Sequence, residues 1–434
     1  MVDVLLIQPP FPPSGEVQAR DVVLCPPLGL GYIASFLASR GFTVRILDCA
    51  ILNMGVDEAS LEVKRLEPKI LGFSVATPGY KNALKIAGEA KKFNEEVATV
   101  FGGPHVTFAA EEAVKREEVD FVVRQEGEET MLELAEALLR RSRRIEEIEG
   151  LSYRRGNRAV HNPPRLLRED LDSLPFPERR SLPLRLYKVP ASLITTRGCP
   201  YKCIFCSAGA MSGGKYRVRS PGNVLAEVKH MLTFMEPDFF FIADDTFTII
   251  PERMRKLCKG FKELEVKWVC AARANLVNRE MLKEMAESGC FSVQFGAESG
   301  SQRILNSIRK GITVDQVRKG VKWCAELGIK PVCSFMIPHP EDTKETIEET
   351  KRLMEELKGL GAQLFVSFTT PFPGTFLYDH AEELGVKFLT RDTDKFNLTT
   401  PVIETKNLSL EEIEEAFDEL AAISIETFPK ELDR

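Results

Sequence analysis

The feature that most restricts the fold of this chain is an alternation of short apolar runs with amphipathic stretches. It occurs in two blocks, separated by a segment of different character. In the first block, Val2–Ile7, Thr43–Leu47, Ile70–Val75, Ala98–Phe101 and Phe121–Val123 read as strands. Leu28–Ser39, Tyr80–Asn94, Ala109–Glu117 and Glu128–Arg140 read as helices between and after them. The strand runs are apolar throughout rather than alternating, as expected of strands covered on both faces by helices in a buried parallel sheet. Residues 1–140 are therefore predicted to form a doubly wound, Rossmann-like α/β domain, with any ligand at the carboxyl ends of its strands. The opening Met1-Val2-Asp3-Val4-Leu5-Leu6-Ile7 has no basic start and no small-residue cleavage site, so it reads as the first strand and not as a signal peptide.

Residues 141–188 break the alternation. They are rich in Arg, Pro and Leu, and are read as a linker with a short hairpin at Leu151–Arg158 turning on Gly156-Asn157. The alternation resumes in residues 189–385. Strands are predicted at Ser192–Thr196, Phe239–Ala243, Lys267–Ala271, Ser292–Gly296, Pro331–Ile337 and Gln363–Thr369, each followed by a helical pattern. Six such units in series are two short of a closed eight-unit barrel and predict a partial (β/α)6 barrel. Residues 386–434 are expected to be a helical extension, with a terminal helix at Leu408–Thr427.

Composition bounds the function classes. A net charge of −6 gives no general nucleic-acid binder, and no run approaches the ~18 apolar residues of a membrane span. Ten cysteines are scattered over a long enzyme-like chain, which places it in a reducing, cytoplasmic compartment where clustered cysteines mean metal or catalysis. Cys258, Cys270, Cys290, Cys324 and Cys333 fall on predicted barrel elements and read as small core residues, as do Cys25 and Cys49. Only Cys199, Cys203 and Cys206 cluster. They stand in Arg197-Gly198-Cys199-Pro200-Tyr201-Lys202-Cys203-Ile204-Phe205-Cys206, a C-x3-C-x2-C spacing directly after the first predicted barrel strand. Thiolates are the natural ligands of an iron–sulfur cluster. Three of them on one loop hold three irons of a [4Fe–4S] cluster and leave the fourth open to chelate a substrate. A structural zinc site asks for a fourth ligand, and none is adjacent in sequence.

In residue type and spacing this triplet, with Tyr201 and Phe205 inside it, resembles the signature of the radical S-adenosylmethionine (SAM) superfamily. That family's fold is the partial barrel. The resemblance implies a [4Fe–4S] cluster that cleaves SAM reductively to methionine and a 5′-deoxyadenosyl radical, and an electron donor such as a ferredoxin or flavodoxin. It further implies that Asp244 and Asp245 contact the methionine amino group, although the family more often shows Gly-Gly-Glu there. Arg273 is implied to pair with the SAM carboxylate, and Glu298, in Gly296-Ala297-Glu298-Ser299-Gly300, to bind the ribose hydroxyls.

Three stretches of the first block resemble the cobalamin-binding domain that precedes the barrel in one class of these enzymes. They are Pro26-Pro27-Leu28-Gly29-Leu30-Gly31-Tyr32, Val100-Phe101-Gly102-Gly103-Pro104-His105-Val106-Thr107 and Gln125-Glu126-Gly127-Glu128. The resemblance implies a cobalamin site that includes Thr77, Tyr80, Gly102, Gly103, His105 and Glu126. The D-x-H-x-x-G motif, whose histidine ligates cobalt in many cobalamin proteins, is absent. The activity implied is methylation of an unactivated carbon of a small molecule, lipid or peptide. Two other activities remain open: cobalamin-dependent ring formation, oxidation or coupling, and a non-catalytic electron-transfer or carrier role.

Overall fold

The computed structural model describes residues 2–12, 24–425 and 427. The chain forms two compact units, Met1–Ser192 and Leu193–Arg434.

The first unit is built on β1 (Val4–Gln8), β2 (Val44–Asp48), β3 (Ile70–Ser74), β4 (Ala98–Gly102), β5 (Phe121–Val123), β6 (Leu151–Arg155) and β7 (Arg158–His161), in the order β2-β1-β3-β4-β5-β6-β7. The first five strands run parallel. Their apolar runs divide by alternation. Leu5, Ile7, Leu71, Phe73 and Phe101 face a core shared with Val63, Ala83, Ile86 and Ala87. Val4, Leu6, Ile70 and Val100 face the opposite core, with Leu30, Ala34, Leu37, Met131 and Leu134. Both faces are thus covered by helices, and the strands need apolar residues at every position. The stretch expected to be a linker contributes more than a hairpin. β6 pairs antiparallel with β5, Phe121 opposite Tyr153, and β7 follows. A three-residue β5 left as an edge would expose unpaired backbone groups.

The second unit carries β8 (Ser192–Leu193), β9 (Thr196–Arg197), β10 (Arg217–Val218), β11 (Phe240–Ile242), β12 (Trp268–Ala272), β13 (Cys290–Glu298), β14 (Lys330–Ile337), β15 (Gln363–Phe368), β16 (Val386–Phe388) and β17 (Ile403–Thr405). Its main sheet follows chain order, β8-β11-β12-β13-β14-β15, with β11 to β15 parallel. This is the serial order of an open barrel. The first barrel strand is shorter than the predicted Ser192–Thr196, because the amides of Thr195 and Thr196 donate to the Asp244 side chain. The extension after residue 385 is not all helical: β16 and β17 pair antiparallel. The terminal helix Leu410–Ile425 lies on β15, Phe417 stacked on Phe368 at 3.9 Å and the Ser424 hydroxyl on the Leu364 carbonyl. Residues 426 and 428–434 of the predicted extension lie outside the described residues. Cys258, Cys270, Cys290, Cys324 and Cys333 are buried.

Trp268 is fully buried at the start of β12, edge-on to Phe247 and tilted on Phe261, with its indole N–H on the Ser288 carbonyl at 3.0 Å. Trp268→Ala is expected to cost about 3–5 kcal/mol, read as a lowered denaturant midpoint of the second unit.

Candidate active site

The three cysteines sit on one closed loop. β9 and β10 pair antiparallel, Arg197 opposite Arg217, so residues 198–216 leave and return at the same point. Gly198 has φ +89°, and a Cβ there would lie 2.3 Å from the Lys215 carbonyl oxygen and 2.5 Å from Ser212 Cβ. A Cβ on Gly209 would lie 2.6 Å from the Tyr201 carbonyl oxygen. Only glycine lets the two arms close this far. The middle of the loop is tied to the barrel on two sides. Ile204 N–H donates to the Ile308 carbonyl at 3.1 Å, and Leu377 N–H to the Ile204 carbonyl at 2.8 Å.

A buried polar network holds the base of the loop. Asp244 accepts the N–H of Thr195 at 2.6 Å and of Thr196 at 3.0 Å, and the Thr195 hydroxyl as well. Arg253 donates to the carbonyls of Thr195 at 2.8 Å and Arg219 at 2.9 Å. Arg219 in turn donates to the Ile194 carbonyl at 2.9 Å and pairs with the buried Glu227. Burial pushes the Asp244 carboxyl up, against these hydrogen bonds, which favour the carboxylate.

Cys199 is buried, Cys203 half-buried and Cys206 exposed. Cys199 and Cys206 both feel the charge of Cys203 and of Asp245, so the three thiols and one carboxylate share a neighbourhood. Desolvation nevertheless pushes the Cys206 thiol up to about 11. Among the described residues no three His, Cys, Asp or Glu side chains close around a single metal ion. Three thiols on one loop within reach of one another's charge are the donor set that a four-iron cluster takes, and a structural zinc site asks for a fourth ligand.

The residues expected around SAM divide by what they already touch. Asp244 is consumed by the Thr195 and Thr196 backbone, which corrects its expected role. Asp245 is exposed, and its carboxylate has no hydrogen-bond partner among the described residues. Arg273 is also placed differently from expectation. Its guanidinium stacks on Tyr201, donates to Cys203 Sγ and donates to the Lys310 carbonyl. Glu298 ends β13 at φ +63°, where the register against β14 shifts. One of its oxygens pairs with Lys310 Nζ at 2.6 Å, both side chains being more than nine-tenths buried. A Cβ on Gly296 would lie 2.3 Å from that carboxylate and 2.7 Å from the ammonium, so glycine makes room for the pair. The second Glu298 oxygen has no partner among the described residues and is free for a hydroxyl. Lys310 escaped the sequence reading; twelve residues beyond Glu298, it carries no motif of its own.

In the first unit, Thr77, Tyr80 and His105 converge. His105 Nδ1 lies 3.3 Å from Thr77 Oγ1, and its ring is 4.5 Å from that of Tyr80. Gly103, at φ +96°, lets β4 return against β3: a Cβ there would lie 2.7 Å from Val75 N. Gly102 accepts the Val75 N–H at 2.8 Å. Gln125 N–H donates to Thr107 Oγ1 at 2.9 Å, which brings the half-buried Glu126 stretch beside the Gly102-Gly103 stretch. Pro9 and Pro10, after β1, lie against Gly79 and Asn82. The strand order reverses between β1 and β3, the position where open α/β sheets bind ligands. Desolvation lowers His105 to about 4, and the buried Tyr80 hydroxyl has no partner among the described residues. Thr77, Tyr80 and a neutral His105, with one unmet hydroxyl, suit an amide-rimmed macrocycle.

A family model of the radical SAM superfamily matches residues 193–354, and one of the B12 binding domain matches residues 19–135. "Uncharacterized methyltransferase PH0819" of Pyrococcus horikoshii is 35% identical over 425 residues, covering 95% of this chain and 90% of that protein. The anaerobic magnesium-protoporphyrin IX monomethyl ester cyclase of Rubrivivax gelatinosus is 28% identical over 416 residues, covering 92% and 73%. The solved radical SAM methyltransferase TsrM from Kitasatospora setae superposes with TM-score 0.78 at 17% identity, covering 97% of this chain and 88% of that one. The chain belongs to the radical SAM superfamily, in the class that carries a B12 binding domain ahead of the radical SAM domain and in the family of the Pyrococcus protein. It is a radical SAM enzyme, and its cofactors are a [4Fe–4S] cluster, SAM and cobalamin. Among the described residues no helix is long and apolar enough to cross a membrane.

Two tests follow from the geometry. Lys310→Met leaves a buried carboxylate unpaired and is expected to cost about 3–5 kcal/mol in denaturant unfolding, with Glu298→Gln in the same chain returning part of the loss. For His105 the folded pKa is depressed from 6.5 to about 4. Below pH 6.5 the unfolded chain takes up a proton that the folded chain refuses. Stability is therefore intact above that pH and falls towards pH 4 by up to about 1.4 kcal/mol per unit. His105→Gln is expected to remove this part of the acid slope, measured as denaturant midpoint against pH.

Proposed function

We propose that this enzyme methylates an unactivated carbon. The observation that carries the reading is the Pyrococcus methyltransferase, matched over nearly its whole length with both domains present. Relatives named as methyltransferases include hopanoid C-3 methylase of Methylococcus capsulatus and cytidylyl-2-hydroxyethylphosphonate methyltransferase of Streptomyces wedmorensis. When bound, the cluster with SAM supplies hydrogen-atom abstraction and cobalamin supplies the methyl group.

In this reading residues 1–140 hold cobalamin, residues 189–385 hold the cluster and SAM, and 141–188 and 386–434 connect and extend them. Cys199, Cys203 and Cys206 ligate the cluster. Asp245 receives the SAM amino group, and the free oxygen of Glu298 takes a ribose hydroxyl while Lys310 holds the other oxygen in place. Asp244 serves by fixing the loop base and the backbone of Asp245. Thr77, Tyr80, Gly102, Gly103, His105 and Glu126 contact cobalamin, with His105 neutral at working pH. The enzyme works in the cytoplasm with a low-potential ferredoxin or flavodoxin. Its substrate is a small molecule, lipid or peptide.

A second reading, ring formation or oxidation without methyl transfer, is favoured by the cyclase of Rubrivivax gelatinosus and by two others of that name. Methyl-deuterated SAM separates the two under anaerobic, reducing turnover with extracted cell metabolites. Methylation is expected to yield a product carrying one labelled methyl group. Products that lose hydrogens, with no label incorporated, would support the second reading and refute the first.

A further inference from the structure

Arg273 follows β12 and reaches the cysteine loop with one face of its guanidinium stacked and both terminal nitrogens donating. Its central carbon lies 3.6 Å from the Tyr201 ring centroid. Nη1 is 3.6 Å from Cys203 Sγ, an ordinary length for a large, soft acceptor. Nη2 donates to the Lys310 carbonyl, and a Cβ on Gly311 would stand 3.7 Å from it. The residue is 6% exposed. Nε is buried and has no partner among the described residues. A guanidinium held in this way has almost no surface left for a carboxylate ligand, but it does present a charged N–H donor to a sulfur on the cluster loop.

We propose that Arg273 is a positioning residue for the cluster: it fixes Cys203 by an N–H···S hydrogen bond, is itself held flat by Tyr201, and raises the cluster's reduction potential. The inference rests on the reading of Cys203 as a cluster ligand. The sign follows from charge. Each added electron makes the group behind Cys203 more negative, and a charged donor on that sulfur stabilises the more negative state more. Hydrogen bonds to the sulfurs and local charge are the protein's means of setting such potentials. The Lys310 carbonyl holds the same guanidinium, and the Lys310 ammonium holds Glu298, so one short segment braces both the loop and the carboxylate.

The test is redox titration of the anaerobically loaded full chain, followed by electron paramagnetic resonance, alongside iron analysis and equilibrium binding of SAM to the oxidised protein. Arg273→Gln keeps an N–H donor on a shorter side chain and loses the charge; Arg273→Met loses both charge and donor. Both are expected to load iron and to make reduction at least about tenfold less favourable, equal to 59 mV for a one-electron couple, with SAM affinity within about twofold of the wild type. Should both variants fail to hold iron, Tyr201→Leu removes the stacking face while leaving Arg273 in place. It is expected to lower the potential in the same direction by a smaller amount. Unchanged potentials in the variants that load overturn the proposal, whatever SAM affinity does. A wild-type chain that loads no iron refutes the cluster reading, and this inference with it.

Discussion

The second unit depends on one buried carboxylate. Asp244 stands at the end of β11 and takes the backbone N–H groups of both Thr195 and Thr196. By accepting them, Asp244 stops the first barrel strand after Leu193 and lets the chain turn out into the antiparallel β9–β10 pair. A carboxylate that meets backbone donors in a dry setting is strong and directional, and leaving it unpaired would be costly. Arg253 completes the arrangement by binding the carbonyl of the same Thr195. The cysteine loop thus springs from a point where the amide and carbonyl of Thr195 are both met by side chains of neighbouring barrel elements.

From that base, order passes outward through contacts that each have a separate cause. Gly198 and Gly209 allow the arms of the loop to touch. Ile204 binds backbone on two sides. Arg273 joins Tyr201 and Cys203 to the Lys310 carbonyl. Lys310 then neutralises Glu298, whose positive φ and neighbouring Gly296 turn its carboxylate away from the ladder. A rigid first contact supported by a second tier of hydrogen bonds is what a radical reaction needs, because the reacting atoms must meet in one geometry. The cobalamin domain reaches the same end by other means. There the strand order reverses between β1 and β3, and Thr77, Tyr80 and His105 come together at that end of the sheet.

Much of this was legible in the sequence, for identifiable reasons. Runs such as Val4–Ile7 and Ile70–Phe73 are apolar at every position, and the structure places alternate residues in two different cores, as a sheet covered on both sides requires. The three clustered cysteines could be separated from the seven others because only they share a short loop after a strand. What could not be read is which polar residue at a strand end faces a ligand and which faces the backbone. Asp244 and Asp245 are identical in type and adjacent, yet one is spent on Thr195 and the other is presented. That difference comes from the sheet's alternation and from where β8 stops, which is a tertiary fact. The partners of Arg273, which the sequence did single out, and the part played by Lys310 were hidden for the same reason, since the contacts span 70 and 12 residues. A hairpin was foreseen at Leu151–Arg158 and runs on to His161, but its pairing with β5 depends on an edge that only the assembled sheet reveals.

The central claim is that two separate sets of residues in one chain hold two metal cofactors. The most direct measurement is iron and cobalt analysis of the anaerobically reconstituted chain, set beside the same chain with Cys199, Cys203 and Cys206 all replaced by alanine. The account predicts about four irons and one cobalt per wild-type chain, and cobalt without iron in the triple variant. Iron retained by the triple variant, or a wild-type chain with no cobalt, would contradict it.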